Sequence, residues 1–165
     1  MDYSKLRDLL KARRWEDADQ ETVWVMLTVV KREEEGWLRV EDINNYPCED
    51  LRIIDQLWVE YSYGKFGFSV QKMIYQSLGE TTDYDEQIWA LFGDKVGWRK
   101  EGHWVCYYKN ITFAITALEG HLPGLVWWSG WGFVNEEFVW YNGGRSGISK
   151  RTASSLVSRL VDCNI

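Results

Sequence analysis

The sequence predicts an all-α domain built from several short helices. Apolar residues recur at helical spacing in most segments, and glycine or proline interrupts these segments at intervals of helix length. Only two short runs, residues 104–108 and 111–115, have the composition of strands. With 165 residues, 45% of them apolar, the chain is long enough to bury one core. We expect six or seven helices and little sheet, in a compact single domain over residues 1–165.

The N-terminal segment predicts a helical hairpin. Residues 3–13 form an amphipathic pattern with leucines on one face, and a second helix begins at Trp15 and runs to about Glu33. Gly36 suits the left-handed conformation that often ends a helix. Two helices joined by so tight a turn pack against each other. The expected inward positions are Leu6, Leu9, Leu10, Val23, Met26, Leu27 and Val30.

The centre of the chain, from Asp55 to Leu78, predicts two helices joined by an aromatic turn. Gly64 and Gly67 lie where the chain reverses and can take positive φ. Phe66 and Phe68 beside them are large apolar groups that favour burial. We therefore expect the turn to be a wedge between the helices. The apolar positions are Leu51, Ile54, Leu57, Trp58 and Tyr61 before the turn and Val70, Met73, Ile74 and Tyr75 after it.

Three further segments complete the predicted elements. A short segment covers Trp37 to Ile43, and the first helix of the central pair starts only after Pro47, because the residue before proline avoids helical geometry. Thr82 or Asp83 can cap a helix that stops at Gly93, and a last helix follows Ser149. The buried stripes of these last two helices are Ile88, Trp89 and Phe92, and then Ala153, Leu156, Val157, Leu160 and Val161.

The composition argues against several kinds of partner and compartment. The net charge of −6 is unfavourable for nucleic acid, and no apolar run approaches the ~20 residues of a transmembrane segment. No signal-peptide pattern opens the chain. The three cysteines, Cys48, Cys106 and Cys163, are an odd number without a C-x-x-C pair. We therefore expect no disulfide framework, no structural zinc site and a reducing interior.

Nothing in the sequence points to catalysis. It has no nucleophile elbow, phosphate loop or H-E-x-x-H motif. Carboxylates such as Asp17 and Asp19 are expected on solvated helix faces. His103 and His121 have no second ligand at suitable spacing, so we expect no metal site, and His121 should hydrogen-bond to backbone and fix its loop. The eleven tryptophans instead suggest an aromatic-lined surface.

Five motifs carry a family resemblance. They are D-x-E-T (Asp19 to Thr22), I-D-x-L-W (Ile54 to Trp58), G-x-F-G-F-S-V-Q (Gly64 to Gln71), V-G-W (Val96 to Trp98) and G-H-L-P (Gly120 to Pro123). In this order and spacing they resemble the Genomes Uncoupled Four family over roughly residues 3–124. Its members bind tetrapyrroles in oxygenic phototrophs and are best known as activators of magnesium chelatase in chlorophyll synthesis.

The resemblance implies an all-helical domain whose apolar concave face holds protoporphyrin, magnesium protoporphyrin or a linear bilin. Such a ligand needs an apolar or aromatic wall and cations for its propionates. The candidate ligand-binding residues are Val40, Ile43, Tyr46, Tyr107, Leu125, Trp128, Trp131 and Arg145. The first four are family pocket positions, the tryptophans can form a lid, and the arginine is the propionate candidate. The implied role is non-catalytic, in a cyanobacterial cytoplasm or plastid stroma.

The chain departs from the family after G-H-L-P. Chelatase activators carry arginines in a loop there, whereas residues 125–132 contain none, and the next cations are Arg145, Lys150 and Arg151. The last helix also lies outside the resemblance. The resemblance therefore supports tetrapyrrole binding by this chain more strongly than activation of magnesium chelatase through its large subunit.

Several alternatives stay open. On the residues alone, Val40 and Ile43 are better interpreted as core, and the resemblance reverses that preference. A bilin could attach to Cys48 or Cys106, although buried inert thiols are commoner. The runner-up function is a helical protein-interaction domain that docks a partner through its aromatic face.

Overall fold

The fold is a bundle of short helices, as the sequence predicts. The structure, a computed structural model, describes residues 1–36, 38–79, 85–105, 110–124 and 150–165 (side chains from Ser155 in the last), and the backbone of 133–134 and 137–138. The elements are α1 Ser4–Lys11, α2 Trp15–Val29, α3 Val40–Asn44, α4 Cys48–Tyr61, α5 Phe68–Leu78, α6 Glu86–Val96, β1 Arg99–Lys100, β2 His103–Trp104, β3 Phe133–Val134, β4 Glu137–Phe138 and α7 Lys150–Asp162. The all-α prediction is confirmed.

The N-terminal hairpin is present, with α1 packed along α2. The second helix is shorter than predicted and ends at Val29 rather than near Glu33. Lys31 takes a left-handed φ of 57°, and the Arg32 N–H then closes onto the Leu27 carbonyl at 2.9 Å. This local turn satisfies the last helical carbonyls, so the helix ends before the predicted Gly36.

The aromatic turn between α4 and α5 is a wedge, as predicted. Phe66 and Phe68 have no exposed surface. Gly67 takes a φ of 136°, and a Cβ there would lie 2.8 Å from a Val59 methyl carbon, so the turn packs directly on α4. Met73 is an exception among the predicted inward positions. It is 58% exposed, because it lies on the face of α5 that has no covering neighbour among the described residues.

Helix α6 differs from prediction at both ends. Its cap is Asp85, whose carboxylate accepts from the backbone N–H groups of Gln87 and Ile88 at 2.8 and 2.9 Å. Thr82 and Asp83 lie outside the described residues. The helix continues through Gly93 to Val96 and ends where Gly97 takes a left-handed φ of 79°. Gly93 instead serves packing, since the Trp104 ring lies only 2.6 Å from where a Cβ would stand.

The second strand prediction is wrong, because residues 111–115 contain no strand. The first, residues 104–108, is tested only at residues 104 and 105, of which Trp104 lies in a strand, His103–Trp104, that pairs antiparallel with Arg99–Lys100. Residues 106–109 are outside the description. A second two-residue hairpin joins Phe133–Val134 and Glu137–Phe138. Such short pairs add little to a helical core.

Aromatic rings fill two parts of the core. One group packs between the hairpin and α4, and the other between α5, α6 and the β1–β2 hairpin. The first consists of Trp15, Trp58 and Phe66, and the second of Tyr75, Trp89, Phe92, Trp98 and Trp104. The tryptophans described here therefore serve mainly as core. None of the helices in the described ranges combines the length and apolarity needed to cross a bilayer.

Helix α7 packs chiefly on α3 and also on α5. Leu156 and Leu160 are buried, as the predicted stripe requires, whereas Val161 is 48% exposed. Ser149 and the side chain of Ala153 lie outside the described residues. The last helix therefore reaches back across the molecule to its N-terminal half.

Candidate functional site

Helix α3 brings three of the predicted ligand-binding residues together. Asp42 accepts a hydrogen bond from the Arg39 backbone N–H at 2.8 Å, which fixes the start of the helix. The same arginine side chain binds the carboxylate and holds the pKa of Asp42 below its usual range. Val40 and Ile43 lie on this helix, and Tyr46 follows it directly.

The three residues differ in how much surface they offer. Val40 is half-buried, whereas Ile43 and Tyr46 have no exposed surface at all. The Tyr46 hydroxyl is buried and has no hydrogen-bond partner among the residues that the structure describes. Burial, followed by the proximity of the Tyr3 phenol and the Asp50 carboxylate, raises the pKa of this phenol, so it is neutral at physiological pH. The α3 face is thus an apolar wall that is already covered.

The cover is α7. Arg159 of α7 donates from Nε and Nη2 to the Tyr46 carbonyl oxygen at 2.9 and 2.7 Å. Arg52 of α4 donates to the Cys163 carbonyl at 2.6 Å, and Lys72 of α5 donates to the Ile165 carbonyl. Both arginines meet backbone carbonyls, and neither forms an ion pair within the described part of the chain.

The expectation that the cysteines form no disulfide is wrong for two of the three. Cys48 and Cys163 form a disulfide, with Cα atoms 5.3 Å apart and a sequence separation of 115 residues. The odd count concealed the pair, because the fold brings the start of α4 to the end of α7. Cys48 offers no thiol to a bilin while this bond is closed. Cys106 lies outside the described residues.

The remaining predicted site residues lie outside the described part of the chain. They are Tyr107, Leu125, Trp128, Trp131 and Arg145, together with the side chains of Lys150 and Arg151. The lid and the propionate arginine therefore stay predictions.

The sequence motifs meet elsewhere, around the G-H-L-P segment. Asp19 is completely buried, and its carboxylate accepts from the Gly124 N–H at 2.5 Å. This contradicts its predicted place on a solvated face, since a residue 105 positions later closes over it. In the same helix, the Thr22 hydroxyl accepts from the Trp58 indole N–H at 2.9 Å. Two motifs thus tie α2 to α4 and to the G-H-L-P segment.

Four more hydrogen bonds complete this motif network. Gln71 donates to the carbonyls of Gly120 and Pro123 at 3.0 and 2.9 Å. The Gly67 N–H donates to the Leu122 carbonyl at 3.0 Å. The Trp98 indole donates to the His121 carbonyl at 2.9 Å. Residues of D-x-E-T, G-x-F-G-F-S-V-Q and V-G-W therefore satisfy the backbone of the G-H-L-P segment, which is a structural task. I-D-x-L-W joins this network through the bond between Trp58 and Thr22.

His121 fixes this loop as predicted. Its Nδ1–H donates to the Val96 carbonyl at 2.6 Å, and its Nε2 accepts from the Thr112 N–H at 3.0 Å. Burial lowers the pKa of His121, so the ring is neutral and both nitrogens are used. Across the described residues, no group of three or more His, Cys, Asp or Glu side chains could hold a metal ion.

The family is decided by comparison with known proteins. The family model described as GUN4-like matches residues 1–138. The chain belongs to this family. It is 37% identical over 125 residues to a Ycf53 protein of Porphyra purpurea, covering 74% of the chain and 50% of that relative. It is 29% identical over 103 residues to the "Tetrapyrrole-binding protein, chloroplastic" of Arabidopsis thaliana, covering 59% of the chain and 35% of that relative.

A solved structure supports the fold. GUN4 from Chlamydomonas reinhardtii superposes with a TM-score of 0.67 at 21% identity, covering 98% of this chain and 88% of that chain. The superposition therefore extends over α7, beyond the residues that the family model matches. The chain spans about half the length of the curated relatives it matches.

Proposed function

We propose that this GUN4-like domain binds a tetrapyrrole on the α3 face and acts as a non-catalytic regulatory or carrier module in chlorophyll synthesis. The observation that carries the proposal is family membership over residues 1–138, together with a relative named as a tetrapyrrole-binding protein. Val40 and Ile43 of α3 and Tyr46, two residues beyond its end, supply an apolar and aromatic wall. A flat apolar macrocycle suits such a wall.

The ligand classes are protoporphyrin, magnesium protoporphyrin and a linear bilin. Each presents propionates, for which the arginine Arg145 remains the sequence candidate and Arg52 is the described one. Residues 125–132 contain no arginine, so the proposal stops at pigment binding. An assay for activation of magnesium chelatase through its large subunit would extend the proposal beyond pigment binding. The chloroplast named for the Arabidopsis relative supports a plastid or cyanobacterial setting.

The test is a titration of the domain, residues 1–165, with each of the three pigments. Tryptophan emission and pigment absorbance are followed in parallel, under reducing and non-reducing conditions. We expect saturable binding of at least one pigment at micromolar or tighter affinity. No saturable change with any pigment would contradict the proposal and favour an aromatic docking surface for a partner protein.

A variant pair locates the site. Val40→Glu places a charge on the half-buried edge of the wall and should weaken pigment binding about tenfold or more, because a carboxylate repels the propionates and loses water on pigment binding. Leu91→Glu changes a side chain that is 50% exposed on α6 and is the matched control. Equal affinities in the two variants would place the pigment away from α3.

A further inference from the structure

Helix α7 is held at its C-terminal end by bonds to two other helices. Cys163 is joined to Cys48 at the start of α4, and its carbonyl accepts from Arg52 one turn further along that helix. Lys72 of α5 binds the Ile165 carbonyl. The end of the chain is therefore fastened by one covalent bond and two charge-assisted hydrogen bonds.

The fastened helix covers the proposed pigment wall. Arg159 binds the Tyr46 carbonyl twice, and Leu156 and Leu160 are buried in the core that encloses Ile43. Ile43 and Tyr46 have no exposed surface, so a macrocycle can reach them only if a neighbouring element moves. Because α7 packs chiefly on α3 and lies beyond the matched residues 1–138, it is the element to move.

We propose that α7 is a cap on the tetrapyrrole site and that the Cys48–Cys163 disulfide is its latch. A protein or small-molecule dithiol opens the latch and raises the affinity for pigment. The inference rests on the proposed function. The latch adds a regulator to that function, namely the thiol redox state of the surroundings.

The dithiol alone supplies the two electrons and two protons that reduction of the Cys48–Cys163 disulfide needs. Cys48 keeps part of its surface exposed, whereas Cys163 is 3% exposed, so a thiolate of the reductant attacks the sulfur of Cys48. The Cys48–Cys163 bond breaks, a mixed disulfide forms on Cys48, and Cys163 leaves as a thiolate that takes a proton. The second thiol of the reductant then displaces Cys48, which also takes a proton. The reductant leaves as a disulfide.

Opening then follows from a shift in population. Without the covalent bond, α7 is held by buried leucines and by arginine–carbonyl hydrogen bonds, which water can replace at modest cost. A pigment that binds only the uncapped face draws the equilibrium toward that state. Arg52 remains on α4 when α7 leaves, where its released guanidinium suits a propionate.

The experiment measures hydrogen exchange and pigment affinity on the same protein, oxidised and then reduced with dithiothreitol. Protoporphyrin and magnesium protoporphyrin are the probes. Reduction should speed amide exchange in α7 and α3 and lower the Kd about fivefold or more, a typical allosteric coupling. A Cys48→Ser/Cys163→Ser variant should match the reduced protein and ignore dithiothreitol. A Cys106→Ser variant should keep the full redox response.

Each contrary outcome has a separate meaning. Unchanged exchange in α7 and α3 on reduction overturns the latch, whatever the pigment does. Faster exchange with equal Kd in both redox states overturns the cap while leaving the proposed function intact. No pigment binding in either state overturns the proposed function and with it the gating role. If the double variant does not fold, the reduced native protein decides between these outcomes.

Discussion

The G-H-L-P segment and the α3 face are both buried, but different forces cover them. Side chains of three family motifs, D-x-E-T, G-x-F-G-F-S-V-Q and V-G-W, hydrogen-bond to the backbone of the first, and every partner lies within residues 1–138. The second is covered by α7, which lies beyond that match and is fastened by a disulfide and by cations on backbone carbonyls. The family motifs thus build the scaffold, while the access to the proposed site depends on a helix outside them.

The two regions also differ in whether a chemical change in the surroundings can open them. In the motif network, several hydrogen bonds hold the G-H-L-P segment, and their polar groups are neutral or have partners. No single bond holds this segment in place. The cover of the α3 face is held by one bond that a dithiol can break, the Cys48–Cys163 disulfide. We therefore expect damage to the first to unfold the domain, and damage to the second to free mainly α7.

The largest effect is expected for Trp58→Ala in the motif network. It removes a fully buried ring and the indole hydrogen bond to Thr22. The free energy of unfolding should fall by about 3–5 kcal/mol, as for other buried aromatic truncations. Urea denaturation gives the value, with Trp24→Ala, which removes a half-exposed ring of α2, as the control. A loss shared equally by both variants would contradict the network's role.

Removal of the disulfide by Cys48→Ser/Cys163→Ser should have the next largest effect. Breaking a cross-link over 115 residues lowers the free energy of unfolding by about 2–4 kcal/mol. The loss should be accompanied by early exposure of α7 in native-state hydrogen exchange. If α2 and α4 open at the same denaturant concentration as α7, the two regions are one cooperative unit and α7 is not separately fastened.

Asp19→Ala tests a single contact of the network. It leaves the buried Gly124 N–H without its carboxylate, so the free energy of unfolding should fall by about 1.5–3 kcal/mol. Asp17→Ala on the same helix removes an exposed carboxylate that pairs with Arg14, and should change it by about 0.5 kcal/mol or less. Similar losses from both changes would place Asp19 in solvent.

The smallest effect is a pH dependence from His121. Burial depresses its folded pKa below the ordinary value of about 6.5, so the unfolded chain binds the proton more readily. Its contribution is fully present above pH ~6.5 and is lost as the pH falls through the folded pKa. His121→Gln should flatten the change in urea midpoint between pH 7.5 and 5.5, whereas the exposed His103→Gln should leave it intact.

Local pattern was sufficient for much of the fold. The leucine face of α1, the stripe of α4 and the Phe66–Phe68 wedge are properties of neighbouring residues, and the structure confirms them. Helix ends were less accurate, because a distant group decides some of them. Glycine often marks the end of a helix, yet α6 passes through Gly93, where the Trp104 ring packs against the backbone.

The candidate site was predictable only in part. Val40, Ile43 and Tyr46 were reached through the family resemblance, and the structure places them together on and directly after α3. Arg52 and Arg159 were missed because they bind backbone carbonyls, for which a sequence has no signal. Cys163, four residues after Arg159 and just beyond the end of α7, was the one available clue that this helix is fastened.

The sequence by itself determined the helices, the aromatic core and the family, because these depend on spacing within short stretches and on ordered motifs. The tertiary structure alone decided that Asp19 is buried, that Cys48 meets Cys163, and that α7 lies on the α3 face. Each of these joins residues more than a hundred positions apart. Such pairings follow from how the helices pack, and helical periodicity carries no information about which distant partner arrives.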